Sequence, residues 1–157
     1  MGASSEAISA KERGSAAYAQ GKFEDAAHQF STAISFAQKD DENLHVYYSN
    51  RCASYLNLGN VDRALMDAEE CTRLKPQWAK GWSRLGGCLV RKGRHDAAIS
   101  AFNKAVEAEP SNAEYKRALA DAQNAKKSGG ASRSSAQRDP PPQQQPQSQP
   151  QQQQQQQ

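Results

Sequence analysis

Lys80 and Arg84 stand four residues apart in "QWAKGWSRLGG", residues 77–87, where no other side chain is charged. On a helix that spacing puts both cations on one face, and like charges so placed cost about 0.2–0.5 kcal/mol. The pair is therefore expected to serve a ligand rather than the helix. A guanidinium fork and an ammonium point charge are both donors suited to an oxyanion. Asn50 lies 34 residues before Arg84, and Lys11 and Ser15 are again four apart near the start of the chain. If these five side chains share one surface, they offer an anion two ammonium groups, a guanidinium, an amide and a hydroxyl. That chemistry is recognition, with no bond broken.

Signatures of catalysis fail one by one. "GWSRLG" begins like a nucleophile elbow, but Leu85 stands where the second glycine belongs and no strand precedes it. His28, His45 and His95 are far apart, form no metal-ligand spacing, and read as surface residues. Cys52, Cys71 and Cys88 are an odd number without a C-x-x-C pair. Cys52 and Cys71 fall on small-residue positions, where a thiol acts as a compact apolar group. The chain reads as non-enzymatic, with no cofactor and no metal. Its net charge of +3, from 20 Lys and Arg against 17 Asp and Glu, comes with no basic run interleaved with aromatics, so no nucleic acid is expected. No apolar stretch is long enough for a signal peptide or a membrane span, and the odd cysteine count without C-x-x-C spacing points to a reducing, cytoplasmic compartment. The opening "MGASSE" has Glu6 where an acylation signal needs Ser or Thr.

The elements that must position the cations emerge when the chain is aligned with itself. Gly59 and Gly93 are 34 residues apart, and their surroundings match: Ala64 with Ala98, Cys71 with Ala105, Pro76 with Pro110. Gly21 opens an equivalent segment with Ala26, Phe30 and Ala33 in register, displaced by four extra residues near 41–44. The repeats are thus expected at 7–40, 45–78 and 79–112, after a flexible segment 1–6. Each is a helix pair. Trp82, Leu85, Gly86 and Leu89 follow the spacing of one helical face, as do Ala98, Phe102 and Ala105, and Pro76 or Pro110 ends the second helix. A further helix is expected over 113–127, with Ser111 as its N-cap. From Ser128 onward Gln, Pro, Gly and Ser dominate, and too little apolar surface is present to offset the entropy of ordering, so 128–157 is expected to be disordered.

Trp82, Leu85, Gly86, Ala98, Phe102 and Pro110 resemble the tetratricopeptide pattern W-x₂-L-G-x₂-Y, A-x₃-F, P, with Leu89 in place of Tyr. Tyr48, Arg51, Cys52, Tyr55, Ala64, Ala68 and Pro76 give a looser second copy, and the first copy departs most. The resemblance implies an all-α, right-handed solenoid of three helix-turn-helix repeats closed by a capping helix. In such a stack the first helix of each repeat lines the concave face.

"YYSNR", "KPQWAKGWSRLGG" and "KERGS" further resemble the carboxylate-clamp class of these domains, and within it the first repeat domain of the co-chaperones that join 70-kDa and 90-kDa heat-shock proteins. The likeness covers about residues 7–127. It implies a groove that holds the free C-terminus of a chaperone's EEVD tail, with clamp residues at Lys11, Ser15, Asn50, Lys80 and Arg84. Ser15 is the departure, since the class carries Asn there. The C-terminal tails of the 70-kDa or 90-kDa chaperones are the implied partners. Two other readings stay open: a scaffold that binds a protein by apolar groove contacts, and the targeting module of an enzyme such as a phosphatase.

Overall fold

The computed structural model describes residues 4–135, and their side chains as far as Gly129. Among the described residues there are seven helices and no strand: α1 (Ser5–Ala19), α2 (Phe23–Phe36), α3 (Leu44–Asn57), α4 (Val61–Leu74), α5 (Ala79–Arg91), α6 (His95–Ala108) and α7 (Ala113–Ser135). Each packs on the next, and α3 also touches α1 and α5. The helix pairs α1/α2, α3/α4 and α5/α6 run over 5–36, 44–74 and 79–108, beside the repeats expected at 7–40, 45–78 and 79–112, and α7 packs on α6.

Each pair turns through a glycine. Gly21, Gly59 and Gly93 have φ of 73°, 75° and 70°, the left-handed region where a Cβ is strained and glycine is not. The period in the sequence is thus a period in backbone conformation.

Within each pair, residues sixteen apart meet across the two helices. Arg13 donates to Gln29 at 2.9 Å, and Arg51 donates to Asp67 at 2.9 and 2.7 Å. One position further on, Gly14 faces Phe30 and Gly86 faces Phe102, so close that a Cβ on either glycine meets the ring at 2.7 or 2.6 Å. Repeat two solves the same volume problem differently. Cys52 stands at the glycine position, and Ala68 replaces the phenylalanine opposite it; both are fully buried in one cluster with Ala64 and Cys88. Small plus large in repeats one and three becomes medium plus small in repeat two, which keeps the helices at close approach.

Gly86→Ala follows as a test of this packing. The added methyl has nowhere to go without moving Phe102, and overpacking of this kind costs roughly 1–3 kcal/mol. Chemical denaturation should show that loss; a stability equal to the parent's would mean the α5/α6 contact is looser than described.

Two expected boundaries are corrected. Helix α1 begins at Ser5, ahead of residue 7. Helix α7 runs past Lys127 to Ser135, so residues 128–135, assigned to the disordered tail, are helical; the rest of that tail, 136–157, lies outside the described residues. The N-cap of α7 also differs. Asn112 Oδ1 accepts from the backbone N–H of Glu114 and Tyr115, at 3.0 and 3.3 Å, so the amide one residue later does the work expected of Ser111.

Candidate functional site

Because the stack places α1, α3 and α5 side by side, residues one helical turn apart on each face the same hollow. Ser15 and Tyr18 from α1, Asn50 and Ala53 from α3, and Lys80 and Arg84 from α5 line a cavity of about 200 Å³, with Phe30 of α2 beneath. Four of the five residues singled out from sequence are therefore brought together. Lys11, the fifth, is one turn before Ser15 on α1 and lines a different depression of about 220 Å³, with Ile8, Asn43, Val46 and Tyr47. Lys80 and Arg84 are shared with a third, of about 270 Å³, that reaches Ser83, Glu114 and Tyr115. The capping helix thus forms a wall of the same groove.

The donors here are unspent. Among the described residues, no hydrogen bond or ion pair engages the side chains of Lys11, Ser15, Asn50, Lys80 or Arg84, and Arg84 Nε is buried without a partner. Other arginines in the stack are committed, among them Arg51 to Asp67 and Ser31, and Arg73 to Glu70. The positive field of Arg84 reaches its surroundings, opposing the upward push that burial, Glu109 and Glu114 give the Tyr115 hydroxyl. A desolvated cation with free donors makes an anion site without further rearrangement.

Tyr18, Phe30 and Ala53 were not found by reading the sequence. A signal existed for two of them, since Tyr18 follows Ser15 by three and Ala53 follows Asn50 by three, the helical neighbour spacing. Phe30 comes from the second helix and reaches the hollow only because Gly14 opens the way. Of the histidines read as surface residues, only His28 is exposed. His45 is half-buried, its ring edge-on to Trp78 at 4.7 Å, and burial lowers its pKa, with Lys75 adding to the effect. His95 is half-buried as well. No described helix is long and apolar enough to cross a membrane.

A tetratricopeptide-repeat family model matches residues 54–113 and 89–144. The chain belongs to the tetratricopeptide-repeat family. It is 44% identical over 116 residues to the Hsp70-Hsp90 organizing protein of Triticum aestivum, an alignment that takes in 74% of this chain and 19% of the relative. The chain thus spans about a fifth of the length of that relative. Among solved structures it resembles the Sgt2 repeat domain from Aspergillus fumigatus, with 28% identity, a TM-score of 0.72, and coverage of 88% of this chain and 87% of that one. It also resembles the second repeat domain of Spaghetti (RPAP3) bound to the HSP90 peptide SRMEEVD, with 25% identity, a TM-score of 0.62, and coverage of 67% and 94%.

Proposed function

We propose that this repeat domain is a co-chaperone adaptor that captures the acidic, EEVD-type C-terminus of a 70-kDa or 90-kDa heat-shock chaperone. The observation that carries the reading is the set of unpaired donors around one cavity: Ser15, Asn50, Lys80 and Arg84, with Lys11 one turn away. A chain end offers two carboxylates close together, its main-chain terminus and the last Asp side chain. Lys11 and Asn50 suit the first and Lys80 the second, with Arg84 supplying the field and a fork. The likeness to the wheat organizing protein and to a domain holding SRMEEVD supports the assignment. No step of covalent chemistry is required; the domain holds its ligand and releases it.

Charge-assisted hydrogen bonds contribute about 1.5–3 kcal/mol each, and ordering a flexible peptide offsets much of the sum. A dissociation constant on the order of micromolar, about −8 kcal/mol, is the expected balance. Ser15 keeps the affinity at the weaker end, because its exposed hydroxyl reaches less far than an amide. Calorimetric titration with an EEVD-ending peptide tests both points: micromolar binding is expected, tightened by about 1 kcal/mol in Ser15→Asn. Absence of binding at hundredfold higher concentration contradicts the assignment, and an unchanged Ser15→Asn variant puts Ser15 outside the clamp.

A further inference from the structure

We propose that Cys52 and Cys88 form a site of oxidative modification, closing to an intramolecular disulfide when the protein meets a hydroperoxide. The two sulfurs are 3.7 Å apart, on α3 and α5, and belong to different repeats. Both residues are fully buried, in the cluster that also holds Ala64 and Ala68. Packing asks only for small residues at these two positions and not for thiols in contact: the glycines Gly14 and Gly86 fill the position of Cys52 in the neighbouring repeats, and Ser54 fills that of Cys88 in repeat two. What the pair adds is redox chemistry.

The roles of the two sulfurs differ. The hydrogen bond between the two thiols, which either sulfur can donate, lowers the pKa of Cys88, with burial opposing and Arg84 assisting. That same hydrogen bond, followed by burial, pushes Cys52 up. The thiolate is the reactive form of cysteine, so Cys88 attacks. Its sulfur takes one oxygen of the peroxide, the O–O bond breaks, and hydroxide leaves. Cys52 sulfur then attacks the Cys88 sulfenic acid; the S–S bond forms, the S–O bond breaks, and the Cys52 proton leaves with the hydroxyl as water. The peroxide gains the two electrons the thiols lose. Access to the buried pair comes through local opening of the helices, as for other buried groups. Cys71 is set apart, its thiol donating to the His45 carbonyl at 3.4 Å, and is an internal control.

The modification reaches the groove. A disulfide needs the sulfurs at about 2.05 Å, so the 3.7 Å contact closes by rotation of the two side chains together with adjustment of α3 and α5, the helices that carry Asn50 and Arg84. One residue, Arg51, separates Asn50 from Cys52, and one helical turn separates Arg84 from Cys88. Binding constellations tolerate displacements of only about 0.5 Å, and this part of the inference rests on the function proposed above.

The test treats the reduced full chain with hydrogen peroxide, then alkylates, digests with trypsin and maps the products. The expected result is a disulfide joining the peptides 52–63 and 85–91, with Cys71 alkylated, and loss of that product in Cys52→Ala and in Cys88→Ala. A native chain that stays fully alkylatable while the urea-unfolded chain oxidises overturns the proposal, as does a product linking Cys71. Titration of the oxidised protein with an EEVD-ending peptide should show about threefold weaker binding or worse, restored by dithiothreitol. Equal affinities before and after overturn the link to the groove. If the reduced protein itself fails to bind, the adaptor reading falls while the peptide map still decides the disulfide.

Discussion

Asp67→Ala is expected to lower the stability of this domain by about 3–5 kcal/mol, the range for stranding one member of a buried ion pair. Asp67 has a side chain only 4% exposed and receives two hydrogen bonds from Arg51, which also donates to Ser31 at 3.0 Å. One guanidinium thereby ties α3 to both α2 and α4. Burial pushes the Asp67 carboxyl above its ordinary value, and the opposing pull of Arg51 does not cancel it. The pair as a whole is thus worth little over a well-packed apolar pair. Its loss by halves is another matter, because Arg51 then keeps a largely desolvated charge with only the Ser31 hydroxyl and the rings of Tyr48 and Tyr55 beside it. Urea denaturation separates the two cases: Asp67→Ala should be severely destabilised, whereas Arg51→Met with Asp67→Leu should recover most of the loss. A cost under about 1 kcal/mol for Asp67→Ala would mean that water reaches Arg51 and the core of repeat two is open.

Combining Lys80→Ala with Arg84→Ala should abolish measurable capture of an EEVD-ending peptide. Each cation supplies a charge-assisted hydrogen bond of about 1.5–3 kcal/mol, and together their loss removes roughly 3–6 kcal/mol from a total near 8. Lys80 is exposed and Arg84 half-buried, and neither is committed to an intramolecular side-chain partner, so the fold should survive the change. Lys80→Ala alone should cost at least about 1.5 kcal/mol. Circular dichroism confirming an unchanged helical spectrum belongs with the titration. If the double variant binds as the parent does, the ligand is held by apolar contacts with Tyr18, Phe30 and Ala53, and the cations are bystanders.

Much of this architecture can be read from the order of residues, for a physical reason. A turn that demands positive φ admits glycine with little competition, so Gly21, Gly59 and Gly93 mark the three hairpins. Small residues recur where helices touch, so Gly86, Ala98 and Ala105 report the packing. The convergence of Asn50, Lys80 and Arg84 is legible too, since Asn50 and Arg84 hold equal positions in successive repeats and Lys80 lies one turn before Arg84 on the same face; Ser15 joins them from the first helix of repeat one. What escapes is whatever depends on a partner distant in sequence. Arg51 reads as a poor substitute for an aliphatic residue until Asp67, sixteen residues on, is seen to receive it. Cys52 reads as filler until Cys88 is found against it from the next repeat. Lys11 reads as one of a set, yet a single turn of α1 carries it into the neighbouring depression. The end of α7 is hidden for a local reason: Gly129 and Gly130 weaken a helix by about 1 kcal/mol each, and residues 131–135 still continue it.

A free chain end is what the groove recognises in the proposed function, and one comparison tests that most directly. A peptide ending in EEVD is titrated into the intact protein with its C-terminus free, and again with that terminus amidated. Amidation removes one negative charge and leaves every side chain in place, so the contribution of the terminal carboxylate is isolated. At least tenfold weaker binding of the amidated peptide, about 1.4 kcal/mol or more, is the expected result. Equal affinity for the two peptides would contradict the account, whatever the cations line.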